Sequence, residues 1–106
     1  MNISDLKISI IGAGNIGTAI VTGLLRSSKV SPGNINLTRR NISLLKKFAD
    51  MGIKTSSDNI EAVRNSEVIV IAVLPKQVES VLKELSGAID PQRHIIVSVV
   101  TAITIE

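Results

Sequence analysis

The sequence predicts an α/β fold with a five-stranded parallel sheet in the strand order 3-2-1-4-5 and helices on both faces. Short segments rich in β-branched residues alternate along the chain with segments whose apolar residues recur at helical spacing, a pattern typical of parallel sheets connected by helices. A glycine-rich turn follows the first strand segment. A later segment, EVIVIAVL, is apolar almost throughout, as central parallel strands buried on both faces are. The 106 residues are one domain's length.

The first strand and helix are predicted within an uncharged segment that begins at Ile8 and ends at Leu25. KISII is rich in β-branched residues, and NIGTAIVTGLLRSS carries apolar residues every four positions. A transmembrane helix needs about 20 mostly apolar residues, and a signal peptide needs an unbroken apolar centre of about 7–15 residues. Because glycines and Asn15 interrupt the segment at its middle, a strand, a turn and a helix explain it better than either, and no membrane partner is expected.

The second strand is predicted at Asn34–Thr38, after the turn signal Ser31-Pro32-Gly33. Asn41 is suited to cap a second helix, which we expect to end at Gly52 because glycine commonly closes helices. That helix carries Phe48, the only aromatic residue of the chain, on an apolar face. Packing in the core is therefore the expected role of Phe48.

The third strand is predicted at Ile53–Thr55, followed by a short helix that extends through Val63. Asp58 precedes this helix and Glu61 lies three residues further on. The pair resembles a capping box, in which each residue's side chain bonds to the other's backbone N–H.

The fourth strand is predicted at Glu67–Leu74, and Pro75 suits the first position of the helix that follows. Apolar residues at helical spacing continue to Gly87, which closes that helix. HIIVSVV, at His94–Val100, is the fifth strand.

In a doubly wound parallel sheet, ligands bind at the carboxyl edge, where the strand order reverses. Here that point lies between the first and fourth strands. The segments expected to converge there are the glycine turn, Thr38–Asn41, Ala72–Pro75 and Val100–Ala102.

The turn after the first strand contains Gly12, Gly14 and Gly17 in the spacing G-x-G-x-x-G. Gly12 permits a tight turn, Gly14 lets a pyrophosphate approach the backbone, and Gly17 lets the helix pack closely on the strand. The helix start adds free N–H groups and a partial positive charge of about +0.5. A chance glycine-rich turn is the alternative. With a strand before it and a helix after it, the motif favours a Rossmann-type, dinucleotide-binding domain.

The end of the second strand reads LTRRN. NAD-binding domains usually carry an acidic residue there, which bonds to the ribose 2′-hydroxyl. Arg39 and Arg40 stand in its place. A guanidinium can bind a 2′-phosphate bidentately, so the sequence favours NADP(H). The alternative is that both arginines are only solvated residues before a helix.

From Lys7 to Glu106 the sequence resembles the amino-terminal domain of the pyrroline-5-carboxylate reductase family. The motifs IGAGNIG, SDNIEAVRNSEVIVIAVLPKQV and RHIIVSVVTAITI carry the resemblance. It implies NADPH-dependent, sometimes NADH-dependent, reduction of a cyclic imine to proline by a cytoplasmic homo-oligomer. It also implies that a helical carboxyl-terminal domain forms the dimer and supplies most of the substrate-binding groups.

By this resemblance the residues from Ile11 to Ile16 hold the pyrophosphate, and Arg39 and Arg40 match the ribose–phosphate site. Asn59 matches an asparagine near the adenosine, and Ala72 to Pro75 match the loop beside the nicotinamide. Motif, edge and resemblance together predict these cofactor-binding residues: Ile11, Gly12, Ala13, Gly14, Asn15, Ile16, Gly17, Thr38, Arg39, Arg40, Asn59, Ala72, Val73, Leu74 and Pro75.

Two positions depart from the family's pattern. Leu74 stands where the family usually has lysine, which removes a cation from the cofactor edge. The segment Ser98–Ala102 is bulkier than the usual Ser-x-Ala-Ala-Gly. Both departures concern activity and substrate rather than fold.

Composition disfavours several other classes. The chain has no cysteine and one histidine, so a disulfide scaffold and a metal site are not expected. His94, placed at the amino edge as a surface residue, lies too far from the cofactor to act as an acid, and no catalytic residue is predicted. Arg39-Arg40 is too short a basic patch for nucleic acid. The net charge of +3 favours phosphate-bearing partners.

We expect residues 1–106 to form an isolated cofactor domain. This domain should bind NADP(H) without catalysing the reaction, because the family's second domain lies outside it. Two other functions stay open from the sequence. One is a non-catalytic module that senses NADPH. The other is a different NADP-dependent reductase, such as a β-hydroxyacid or deazaflavin-linked enzyme.

Overall fold

A computed structural model of the protein describes residues 6–12 and 14–99, and for Asn15 the backbone alone. The predictions for Ala13 and Val100–Ala102 lie outside the described residues. The strands are β1 (Ile8–Ile11), β2 (Ile35–Thr38), β3 (Lys54–Ser56), β4 (Val68–Ile71) and β5 (Ile95–Ser98). The helices are α1 (Asn15–Ser27), α2 (Lys46–Ala49), α3 (Asn59–Arg64) and α4 (Pro75–Leu85), with 3-10 turns at Pro32–Asn34 and Ile42–Leu45.

All four strand pairings are parallel, and the strand order is β3-β2-β1-β4-β5. The predicted fold class and order are therefore confirmed. In the centre of the sheet Ile11, the last residue of β1, lies opposite Thr38 of β2 and Ile71 of β4. The ends of these three strands are thus level with one another, which puts the segments after them side by side at the carboxyl edge.

The side chains of β1 and β4 alternate between two apolar cores, one on each face of the sheet. The core on the face that α1 covers includes Ile10, Val21, Leu37, Phe48 and Val70. The core on the face that α3 and α4 cover includes Ile11, Val63, Ile69, Ile71 and Leu85. Burial on both faces explains why the central strands are apolar at successive positions. The core role predicted for Phe48 is confirmed.

Helix α1 lies unusually close to the strand that precedes it. A Cβ atom added to Gly17 would lie 2.7 Å from the carbonyl oxygen of Gly12 and 3.4 Å from Cγ2 of Ile10. The first of these distances is shorter than real Cβ contacts allow, and the neighbour is backbone that cannot rotate away. The close helix–strand packing predicted for Gly17 is therefore observed.

The second predicted helix is divided. Asn41 caps it as expected, because its Oδ1 accepts the N–H of Ser43 at 3.2 Å. A 3-10 turn follows, and α2 begins only after Leu45, whose backbone at φ −100° and ψ 4° is not helical. The side chains of Leu45 and Phe48 are buried in the core while that of Leu44 is exposed. This short, irregular segment therefore already buries the apolar residues that pack on the sheet.

Only half of the predicted capping box at α3 forms. The Oδ1 atom of Asp58 accepts the N–H groups of Ile60 and Glu61, each at 3.1 Å. The return bond from Glu61 is not needed, because the N–H of Asp58 donates to Oγ of Ser56 at 2.8 Å.

The predicted fourth and fifth strands are shorter than their apolar runs. β4 ends at Ile71, three residues before Leu74, and β5 starts at Ile95. β5 is an edge strand, and its apolar side chains are 62% (Ile95), 41% (Ile96) and 42% (Val97) exposed. The buried strand β4 and the exposed edge strand β5 are thus both rich in β-branched residues.

Replacing Gly17 by alanine should destabilise the fold by about 1–3 kcal/mol, the usual cost of overpacking. The added methyl meets the carbonyl of Gly12, so helix α1 has to move away from β1. Urea unfolding followed by circular dichroism measures the loss.

Gly23→Ala in the same helix is the matched control. Gly23 is exposed and a Cβ there has nothing within 4 Å, so this variant should gain about 0.5–1 kcal/mol of helix propensity. Equal stabilisation by both variants would contradict the close approach at Gly17.

Candidate functional site

The carboxyl edge of the sheet is built from the ends of its strands and the segments that follow them. Bonds beyond the ladder hold these segments together. The N–H of Ala72 donates to the carbonyl of Ile11 at 2.9 Å, and that of Val99 donates to Ile71 at 2.9 Å. The last residue of β1 and the first residue after β4, both predicted at this edge, are therefore directly bonded to one another.

Gly12 makes the sharp turn out of β1. Its φ is +88°, a conformation that glycine adopts far more readily than other residues. A Cβ on Gly12 would also lie 2.4 Å from Cγ1 of Val73 and 3.3 Å from the carbonyl oxygen of Ala72. Backbone conformation and close packing both require glycine here, as predicted for a tight turn.

Gly14 differs from the other two glycines of the motif. Among the described residues, its chain neighbours aside, a Cβ at this position would meet nothing within 4 Å, and the residue is exposed. Its φ of −82° lies in a region open to any residue. The part of the chain that the structure describes does not require glycine at position 14, so the open space is available to a ligand.

Gly14 is also the N-cap of α1 and makes no side-chain capping bond. Its own N–H donates to the carbonyl of Gly12 at 2.8 Å, and its carbonyl accepts the N–H and the hydroxyl of Thr18, both at 3.0 Å. The first N–H groups of a helix have no acceptor within it. Together with the helix dipole they favour an anion at this end. The open face of Gly14 lies beside them.

Ile16 contributes differently from its predicted neighbours. Its side chain packs against the core on the α1 face. Only its backbone is therefore placed to serve a ligand at the helix start.

The β2 side of the edge carries the cations. Thr38 is buried, and its Oγ1 accepts the N–H of Gly12 at 3.3 Å. Arg39 follows, half-buried, and its N–H donates to the carbonyl of Ser56 at 3.1 Å, which extends the bonding of β2 to β3. Arg40 is exposed. The segment from Thr38 to Lys47 carries no acidic residue and four basic ones, Arg39, Arg40, Lys46 and Lys47.

The β4 side of the edge is apolar. Ala72 is buried, Val73 is half-buried against the glycine turn, and Leu74 is 50% exposed. Pro75 begins α4 as predicted. The Oε1 atom of Gln77 accepts the N–H of Leu74 at 3.2 Å. Sequence reasoning missed Gln77, although a glutamine at the third helical position is the usual signal for such a cap.

Asn59 lies away from the Leu74–Pro75 end of α4. Its Nδ2 donates to the carboxylate of Glu84, at 3.3 and 3.4 Å to the two oxygens. Glu84 is in the last turn of α4, so the amide faces the far end of that helix. The role of Asn59 beside the adenosine stays a prediction.

His94 is buried, which corrects the expectation of a surface residue. Its side chain is 8% exposed, and Nδ1 accepts the N–H of Asp90 at 2.9 Å. The tight turn between these residues, in which the carbonyl of Asp90 accepts the N–H groups of Arg93 and His94, tucks the ring inward. His94 immediately precedes β5 and so lies at the edge opposite the glycine turn.

Other sites are poorly supported. Within residues 6–12 and 14–99, no group of three histidine or acidic side chains is placed to hold a metal ion. No helix in that part of the chain is long and apolar enough to cross a membrane. A shallow groove of about 540 Å³ runs along the outer side of α4, lined by Pro75, Val78, Glu79, Leu82, Lys83 and Ser86. The glycine turn is the stronger site because it joins backbone donors, open space and cations.

Comparisons with known proteins agree with this geometry. The family model described as "NADP oxidoreductase coenzyme F420-dependent" matches residues 7–102. The chain is 36% identical over 104 residues to pyrroline-5-carboxylate reductase 3 of Danio rerio, which covers 98% of this chain and 36% of that protein. The predicted resemblance is therefore confirmed. The chain spans about a third of the length of most of the curated relatives it matches.

Solved structures share the fold. A pyrroline-5-carboxylate reductase from Coxiella burnetii superposes with a TM-score of 0.84 at 31% identity, over 93% of this chain and 37% of that one. A Plasmodium falciparum pyrroline carboxylate reductase with NADP bound gives a TM-score of 0.74 at 21% identity, over 92% of this chain and 34% of that one. The second likeness shows the fold alone. By its sequence, its sheet order and its glycine turn, this chain belongs to the NADP oxidoreductase coenzyme F420-dependent family.

Proposed function

We propose that this chain is the NADP(H)-binding domain of an oxidoreductase that reduces a cyclic imine, pyrroline-5-carboxylate, to proline. The observation that carries the proposal is the contrast among the three glycines. Gly12 and Gly17 are required by the fold, while a Cβ on Gly14 would meet no described residue within 4 Å, its chain neighbours aside. A glycine that the motif carries where packing does not require one indicates that a ligand lies at that place.

The residues present fit a phosphorylated dinucleotide. The backbone at the start of α1 would hold the pyrophosphate, with Gly14 leaving room for it. Arg39 and Arg40 would bind the 2′-phosphate, since a guanidinium matches phosphate geometry. Ala72, Val73, Leu74 and Pro75 would lie beside the nicotinamide. The cofactor supplies the hydride, and the protein supplies its placement.

The substrate assignment follows the relatives, whose names are those of pyrroline-5-carboxylate reductases. Because the chain covers about a third of their length, we propose that most substrate-binding groups lie in a second, carboxyl-terminal domain. We also propose a homo-oligomeric whole protein in the cytoplasm. The cysteine-free composition supports a reducing compartment.

One observation favours a second candidate, a non-catalytic module that senses NADPH. Leu74, where the family usually has lysine, is half exposed at the cofactor edge and offers a ligand no charge. Activity of the whole protein with pyrroline-5-carboxylate separates the two functions, because a sensor would bind NADPH without oxidising it.

The chain should bind NADPH at least about tenfold more tightly than NADH, because each charge-assisted contact to the 2′-phosphate is worth about 1.5–3 kcal/mol. Replacing both Arg39 and Arg40 by alanine should remove this preference and leave NADH binding unchanged. Isothermal titration calorimetry measures both affinities.

The control is the double variant Lys46→Ala and Lys47→Ala, which removes the same charge from the neighbouring helix. It should keep the preference. Equal affinities of the unmodified chain for the two dinucleotides would contradict the role of the arginines.

Gly14→Val should abolish binding of NADPH and NADH while the domain stays folded, since the branched side chain occupies the space beside the helix start. Fluorescence titration measures binding, and circular dichroism with urea unfolding reports the fold.

Gly33→Val is the matched control. A Cβ at Gly33 is also unobstructed, but this residue precedes β2 and lies at the opposite edge of the sheet. Both variants should fold, and only Gly14→Val should lose binding. Normal binding by Gly14→Val would place the phosphate site elsewhere.

The 106-residue chain should bind NADPH without oxidising it when pyrroline-5-carboxylate is added. A small carboxylate needs several fixed donors, and hydride transfer is sensitive to misplacement of about 1 Å. The described residues after β4 offer only apolar side chains from Ala72 to Pro75. Absorbance at the NADPH band measures oxidation. Turnover above background that Gly14→Val removes would show that the substrate site lies in this domain.

A further inference from the structure

We propose that Thr38 positions the glycine turn for the cofactor, acting through the N–H of Gly12 rather than by touching the cofactor itself. The inference rests on the proposed function. One contact joins elements that are distant in sequence: the Oγ1 of Thr38, at the end of β2, accepts the N–H of Gly12 at 3.3 Å.

The place of Thr38 makes this contact more than incidental. The side chain is fully buried, at 0% exposure, between Ile11 of β1 and Ser56 of β3 in the sheet register. A buried hydroxyl loses its bonds to water and has to recover them within the protein. Valine would fill the same volume with no polar group, whereas the hydroxyl oxygen of Thr38 accepts the N–H of Gly12.

Two other hydrogen bonds fix the turn, and the bond from the N–H of Gly12 to Thr38 is the third. The carbonyl of Ile11 accepts the N–H of Ala72 at 2.9 Å, and the carbonyl of Gly12 accepts the N–H of Gly14 at 2.8 Å. The bond to Thr38 fixes the turn from the β2 side. The peptide groups on both sides of Gly12 are thereby bonded.

Glycine at φ +88° has more conformational freedom to lose than any other residue. A turn that is ordered before the ligand arrives loses less entropy on binding. The bond from Gly12 to Thr38 therefore improves the binding of every dinucleotide that uses the turn. It does not discriminate NADPH from NADH, because it lies on the pyrophosphate side of the site.

Thr38 also precedes Arg39, so direct contact with the ribose phosphate is the competing explanation. Adenosine 2′-monophosphate separates the two, because it carries the 2′-phosphate and lacks the pyrophosphate. Positioning through Gly12 leaves its affinity unchanged, whereas direct contact with the 2′-phosphate does not.

The test compares the full chain with Thr38→Val, which keeps the shape and loses the acceptor, and Thr38→Ser, which keeps the hydroxyl. Nuclear magnetic resonance measures hydrogen exchange at the Gly12 N–H without ligand, and calorimetry measures NADPH, NADH and adenosine 2′-monophosphate. For Thr38→Val we expect at least fivefold faster exchange. The affinities for NADPH and NADH should each fall about three- to tenfold, the effect of one hydrogen bond, at an unchanged ratio.

Binding of adenosine 2′-monophosphate by Thr38→Val should stay within twofold, and Thr38→Ser should match the unmodified chain in every measurement. A purely structural threonine would lower the urea midpoint and leave the affinities unchanged, which would overturn the proposal. Unchanged exchange at Gly12, or loss confined to NADPH and adenosine 2′-monophosphate, would also overturn it while the proposed function stands. If the unmodified chain bound neither dinucleotide, the proposed function would fail together with this role.

Discussion

The backbone of α1 rests on the carbonyl of Gly12, and the whole carboxyl edge depends on that approach. Gly17 allows it, because a Cβ there would lie 2.7 Å from this oxygen. The first turn of α1 follows directly after the glycine turn at the end of β1. Moving α1 outward by the width of a methyl group would carry the helix amides away from Val73 and from the residues after β2. Packing at Gly17 therefore sets how closely the start of α1 approaches the end of β1.

The sheet supplies the rest of the geometry with little specialised chemistry. Two aliphatic cores hold the strands from both faces, and parallel register brings Ile11, Thr38 and Ile71 to one level. The polar groups at that level are mostly backbone. The cationic and the apolar side chains lie on different sides of the carboxyl edge. Arg39 and Arg40 follow β2, and Ala72 to Leu74 follow β4. This separation matches a ligand with a charged end and a less charged, planar end.

Periodicity and glycine spacing predicted the strands, their order and the turn, because these features depend on the local pattern and on whole-sheet burial. Individual side-chain contacts escaped prediction, both local and distant. The burial of His94 depends on a local turn that begins at Asp90, and the bond from Asn59 to Glu84 joins two helices. The division of the second helix escaped as well. Its apolar spacing fitted a regular helix, while the core accepts only Leu45 and Phe48 from it. The spacing of apolar residues indicates which face of a helix is apolar. It does not indicate how much of that face the core covers.

The unequal packing around the three glycines has a consequence for the history of such chains. Selection for a folded protein alone is enough to retain Gly12 and Gly17, since other side chains there meet backbone or the side chain of Val73. Packing within the described part of the fold places no such constraint on position 14. In a gene copy that no longer needs its ligand, mutations at this codon would accumulate without harming the fold. Of the three glycines, Gly14 is therefore the one whose retention among related chains would report selection for binding rather than for folding.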